Sequence, residues 1–228
     1  MDILLIAGLW LDASVWDEVA QRLSELRDDP VAVPLPGQGA PPDSATLEDQ
    51  RRAVLAAVDA AAGPVMVVGH SAASTLAWMA ADARPHKVAR VVMIGGFPSG
   101  DGEPYAGFLP VTEGAVPFPG WETFEGPDSA DLDEPQREAI AARAIPVPQA
   151  VAKGVVRLDD TARYDVPVTL VCPEFSPAQA KQWIEAGEAG VEMTRARRVD
   201  YLDIDSGHWP MFTRAVELAG LLHGLVAP

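Results

Sequence analysis

The chain alternates short apolar runs with longer stretches of helical spacing, and that alternation leaves few folds open to it. Ile3 to Ala7 has no polar residue before Gly8, Val65 to Val68 runs straight into Gly69-His70-Ser71, and Val88 to Ile94 ends at Gly95-Gly96. Runs of this length and character are strands buried on both faces. Pro30 to Leu35, Pro167 to Cys172 and Ala196 to Ile204 read as further strands. Between them, Val15, Trp16, Val19, Leu23 and Leu26 recur at helical spacing, with Ser14 as the expected cap. Leu47 to Ala62 is an alanine-rich helix stopped by Gly63-Pro64, and helices are expected over Ala72 to about Ala81 and over Ser176 to Ala186. Pro210 suits the first position of the last helix. Strands alternating with helices imply an α/β fold with a mostly parallel sheet of about six strands flanked by helices.

Residues 97–165 break this rhythm. A connection of that length is not a plain loop in a compact domain. The segment is rich in proline, glycine and acid, with helices expected from Glu134 to Ala144 and after Pro148. We read it as a helical cap inserted over the sheet, so that residues 1–96 and 166–228 form the core and 97–165 the cap.

The bulk properties narrow the partners. A chain of 228 residues is long enough for a sizeable core. Its formal net charge of −16 repels phosphate backbones and anionic lipid heads, so neither nucleic acid nor a membrane surface is expected as a partner. The one cysteine, Cys172, allows no intrachain disulfide. No basic leader is visible and no apolar run is long enough to cross a bilayer, so the expected location is cytoplasmic. No Cys/His spacing signals a metal, and neither metal nor organic cofactor is expected.

The sharpest chemical signal is Gly69-His70-Ser71-Ala72-Ala73, set between a strand and a helix. A tight strand-to-helix turn holds a serine hydroxyl in the open and needs small residues on either side. Gly69 meets that need, whereas Ala73 stands where a second glycine is usual. A serine hydroxyl is a weak nucleophile near neutral pH and needs an adjacent base. Of four histidines, His208 lies in the loop Asp205-Ser206-Gly207-His208-Trp209-Pro210, between the last strand and the last helix. That places it on the same sheet edge as Ser71 and makes it the expected base. The acid that orients it is best sought after the strand ending at Cys172, which gives Glu174. Asp101 and Glu103, beyond the strand ending at Ile94, are the alternatives. An oxyanion needs two backbone N–H donors, for which Ala72 and Leu9 are the candidates.

Together these residues resemble the α/β-hydrolase superfamily, in particular its small branch of plant-type methylesterases, hydroxynitrile lyases and related bacterial esterases. Three stretches carry the resemblance: Ala7-Gly8-Leu9-Trp10 through Trp16 with Val33-Pro34-Leu35-Pro36-Gly37-Gln38-Gly39 behind it, the Ser71 turn, and Ser206-Gly207-His208-Trp209-Pro210-Met211. Ala7 departs from the histidine that usually precedes the oxyanion glycine. The resemblance implies a three-layer fold, here a trimmed core of about six strands, and a serine esterase acting through an acyl-enzyme on Ser71. Trp10, Phe97, Trp121 and Trp209, with Tyr105, Phe108, Phe118 and Phe124, are candidates to line a pocket for a small apolar or aromatic substrate. Two alternatives share this fold. A lyase of the hydroxynitrile type would use a cap lysine, and Lys153 is the only one available. A small-molecule receptor would keep the pocket without turnover.

Overall fold

A computed structural model describes residues 1–39 and 45–226. Six strands form one wholly parallel sheet: β1 (Asp2–Ile6), β2 (Asp29–Ala32), β3 (Val65–His70), β4 (Val88–Ile94), and, after a two-stranded antiparallel pair of β5 (Ala115–Val116) with β6 (Val147–Pro148), β7 (Val168–Cys172) and β8 (Val199–Asp203). Their order across the sheet is β2-β1-β3-β4-β7-β8. The central strands are mostly apolar because both faces are covered, with His70 at the end of β3 and Arg90 in β4 as exceptions. Leu4, Ile6, Val65 and Val67 enter one core, while Ile3, Leu5, Met66 and Val68 enter the other.

Helices α1 (Asp17–Glu25), α2 (Leu47–Ala60) and α3 (Ala73–Ala83) follow the first three strands. The segment 97–165 carries α4 (Glu134–Arg143) and the one-turn α5 (Gln149–Ala152), and α6 (Pro177–Ala186), α7 (Val191–Arg195), α8 (Pro210–Thr213) and α9 (Ala215–Gly224) complete the chain. Val19 and Leu23 of α1 meet Leu218 and Leu222 of α9 on one face, and α2 and α3 cover the other. Segment 97–165 is continuous with the core: Tyr105, Val116, Val151, Val156 and Tyr164 are buried in the α2/α3 cluster. Among the described residues, no helix is long and apolar enough to cross a membrane.

Two local expectations are corrected. Ser14 does not cap the first helix. Asp12 caps a 3-10 turn, Ala13–Trp16, that precedes α1, and its carboxylate accepts both the N–H and the hydroxyl of Ser14. The last helix is also not continuous from Pro210, because Arg214, at φ −137°, separates α8 from α9.

Candidate active site

The chain leaves β1 toward β2 on one side of the sheet and returns to β3 on the other. The crevice beyond the carboxyl ends of β1 and β3 is therefore the switch point at which open α/β sheets bind ligands. Gly8, Leu9 and Trp10 leave β1 there, and Ser71 leaves β3.

Ser71 carries the turn from β3 into α3 at φ 54°, a left-handed conformation that costs a non-glycine residue roughly 1–3 kcal/mol. Its N–H donates to the Ile94 carbonyl at 2.8 Å, which anchors the turn to β4. Two glycines make room. A Cβ on Gly69 would overlap the Ala73 carbonyl, and one on Gly96 would lie 2.6 Å from the Ser71 carbonyl oxygen. The close approach between strand and helix thus falls on Gly69. The methyl group of Ala73, where a second glycine is usual, is fully buried in the α2/α3 core.

The loop after β8 brings His208 to this turn. The Ser71 hydroxyl lies 2.9 Å from His208 Nε2, and His208 Nδ1 lies 2.7 Å from Glu174 Oε1. Glu174 stands two residues beyond the end of β7, and the side chains of both His208 and Glu174 are only 13% exposed. Gly95, at φ 61°, lets this pair rest on the end of β4, because a Cβ there would approach His208 Nδ1 to 3.1 Å. Asp101 and Glu103 are exposed and bonded away from His208: Asp101 accepts the Leu158 N–H, and Glu103 accepts the Gly100 N–H of its own loop. Glu174 is therefore the acid that meets His208. With Nδ1–H donated to the carboxylate, Nε2 is free to accept the serine proton, so the row can deprotonate the hydroxyl.

Leu9 and Ala72 flank the same crevice, one following β1 and the other opening α3. Among the described residues, neither backbone N–H has a hydrogen-bond partner, as donors reserved for a ligand oxygen require. Trp10 follows at φ 63°, with its indole N–H donating to the Val116 carbonyl.

Two further contacts escaped the sequence reading. The His208 N–H donates to the Asp128 carbonyl at 2.7 Å, so the turn Pro127–Ser129 backs the histidine loop. Burial and the nearby Glu174 charge raise the Asp128 carboxyl above its ordinary range. The His70 imidazole lies 2.8 Å from the His208 carbonyl and is fully buried, which pushes its pKa down to about 3. The Gly207-His208 pair was visible in the sequence, but no local pattern announces a partner 80 or 138 residues away.

The aromatic candidates divide into two groups. Trp10, Phe118, Trp121, Phe124 and Trp209 form one cluster, in which the Trp209 ring lies 4.9 Å from His208 and 5.2 Å from Trp121. Phe97 instead stacks on Phe175 and meets Trp183. Tyr105 is buried, whereas Phe108 is 87% exposed and lines nothing. Lys153 does not extend toward the serine, because its ammonium donates to the Gly107 and Leu109 carbonyls, each at 2.6 Å. Among the described residues, no group of three or more His, Cys, Asp and Glu side chains is placed to hold a metal.

A family model described as the alpha/beta hydrolase family matches residues 3–221. No curated protein matches the sequence. Among solved structures, an extracellular alpha/beta-hydrolase from a Paenibacillus species superposes with a TM-score of 0.78 at 19% identity, over 97% of each chain. It is described as sharing structural and functional homology with tobacco salicylic acid binding protein 2. A methylesterase from Arabidopsis gives 0.77 at 15% identity, over 99% of this chain and 98% of that one. A pyrethroid hydrolase from Sphingobium faniae gives 0.74 at 19% identity, over 100% and 98%. At these identities the likeness establishes the fold.

Proposed function

The chain belongs to the alpha/beta hydrolase family, and from that premise we propose that it is a serine esterase acting on small carboxylic esters. One observation carries the reading: a serine held at positive φ, with its hydroxyl 2.9 Å from a histidine whose other nitrogen is 2.7 Å from a largely covered carboxylate. In the proposed reaction, Ser71 Oγ attacks the ester carbonyl as its proton passes to His208 Nε2. Glu174 keeps Nδ1 protonated and stabilises the imidazolium that forms. The developing oxyanion takes the N–H groups of Leu9 and Ala72 at the open end of α3. His208 then protonates the departing alcohol oxygen, and a water activated by the same nitrogen releases the acid from the acyl-enzyme.

The substrate side of the proposal rests on the aromatic cluster that borders His208. Trp209 does not line a pocket as expected, because it is buried at 5% exposure and backs the cluster from the core; the half-buried Trp10 and Trp121 are left to offer apolar surface, which suits an ester with an apolar or aromatic group. Phe97, with Phe175 and Trp183, follows the end of β4 and packs against the α2/α3 core. Residues 97–165 act in this reading as the cap, since Trp121, Phe124 and Asp128 all come from that segment. The methylesterase among the structural neighbours supports ester chemistry within this fold. The tethering of Lys153 supports the esterase reading over a lysine-assisted lyase.

The test is hydrolysis of a p-nitrophenyl ester series of increasing acyl length by wild type, Ser71→Ala and His208→Ala. Turnover by wild type, with loss in both variants, is the expected result. A wild type inert toward the whole series, or a Ser71→Ala variant as active as wild type, would sink the proposal.

A further inference from the structure

The proposed mechanism leaves one fully buried ionisable side chain beside it unused. His70 immediately precedes the nucleophile, ends β3, and is 1% exposed. Its Nε2 lies 2.8 Å from the His208 carbonyl oxygen, and the two imidazole rings are 5.0 Å apart. A carbonyl oxygen only accepts, so Nε2 carries the proton and donates it. His70 Nδ1 is buried with no partner among the described residues, and it faces Gly8, where a Cβ would approach it to 2.8 Å. A ring placed only to fill space would be better apolar, because an unpartnered buried ring nitrogen costs free energy. What offsets that cost is the Nε2 bond. That bond ends on the backbone of the base, and the ring packs on the glycine before Leu9.

Resting on the serine esterase reading, we infer that His70 is a positioning residue. It acts as a neutral Nε2–H donor that fixes the backbone of His208 and seats the loop carrying the Leu9 amide. Asp128 holds the His208 N–H and His70 holds its C=O, so both peptide groups of the base are pinned from opposite sides. The imidazole then keeps only its side-chain torsions, and Glu174 fixes those. Nucleophile, base and oxyanion loop share one buried ring as a common reference.

The test compares His70→Leu, which keeps the volume and loses the donor, with His70→Gln, whose amide N–H reaches about as far as Nε2. Each is assayed for ester turnover beside its thermal melt. Because displacement of a reacting group by about 1 Å costs on the order of 100-fold, His70→Leu is expected to lose roughly 10- to 100-fold in kcat with KM little changed. His70→Gln is expected to recover most of that loss. Unchanged kcat in His70→Leu, or equal loss in both variants with wild-type melting, overturns the inference alone. If neither variant folds, the wild-type ring is read by long-range ¹⁵N–¹H correlation. A neutral, Nε2-protonated His70 between pH 5 and 8 supports the role, and an Nδ1-protonated or charged ring overturns it. A wild type that neither turns over esters nor reacts at Ser71 overturns the esterase reading and this role with it.

Discussion

Glu174→Gln keeps the side-chain shape, removes one charge, and separates the candidate acids. In the native site the carboxylate receives His208 Nδ1–H at 2.7 Å, with both side chains 13% exposed. When His208 takes the serine proton, its positive charge lies about 4 Å from the carboxylate charge, an attraction of about 4 kcal/mol at an effective dielectric of about 20. The glutamine oxygen retains part of the hydrogen bond, so the loss is about 3 kcal/mol, or on the order of 100-fold in kcat. If the amide instead turns its NH₂ toward Nδ1, the imidazole is held in the wrong tautomer, with Nε2–H facing Ser71, and the loss grows toward about 10⁴-fold. The assay is steady-state ester hydrolysis, and KM should change little because the ground state is not addressed. Asp101→Asn and Glu103→Gln, which change exposed loop acids, should stay within about twofold of wild type. A Glu174→Gln enzyme within tenfold of wild type would refute the assignment.

Three further outcomes follow from the structure. Ala73→Gly should cost about 1–2 kcal/mol by denaturant titration, from a buried methyl lost and glycine placed in a helix, without raising activity; a stabilised or faster variant contradicts the packing described at Gly69. Arg163 is 4% exposed and pairs with Asp82 and Glu192, so Arg163→Leu leaves two buried carboxylates unpaired and should cost about 3–5 kcal/mol, or roughly 10 °C in Tm; a shift under 2 °C contradicts this. His70 ionises at about 3 in the fold against 6.5 when free, so the unfolded chain binds a proton that the native chain refuses. That stability is complete above pH 6.5 and is lost as pH falls toward 3, at up to about 1.4 kcal/mol per unit. Urea titrations from pH 7 to 4 should show this slope in wild type and lose it in His70→Gln, whereas equal slopes in the two contradict a neutral buried ring.

Much of the fold was legible because it is written in local signals. Val88 to Ile94 matches β4 residue for residue, and α6 begins at Pro177 with Ser176 as its cap. The turn at Ser71 and the loop at His208 were legible because each couples a required residue type to a strand end. The acid was less so. Glu174, Asp101 and Glu103 all follow a strand that ends at the crevice, and only packing shows that the last two are spent on the N–H groups of Leu158 and Gly100. The aromatic residues of 97–165 were harder still. Trp121 and Phe108 are both large and apolar, yet one packs on Trp209 and the other points into solvent. Which way such a side chain turns depends on partners far along the chain, and 3-10 turns such as Trp121–Phe124 leave little periodic trace. The tie from His70 to the His208 carbonyl is of the same kind, a long-range bond without a local signature.

An activated Ser71 reacts with a fluorophosphonate, which reports it without any choice of substrate. Wild type is incubated with the reagent, digested, and the adduct located by peptide mass spectrometry. Stoichiometric labelling on Ser71, no labelling in Ser71→Ala, and labelling slowed at least ~100-fold in His208→Ala are expected. An unlabelled wild type, or an adduct on another residue with Ser71 untouched, would contradict an activated Ser71.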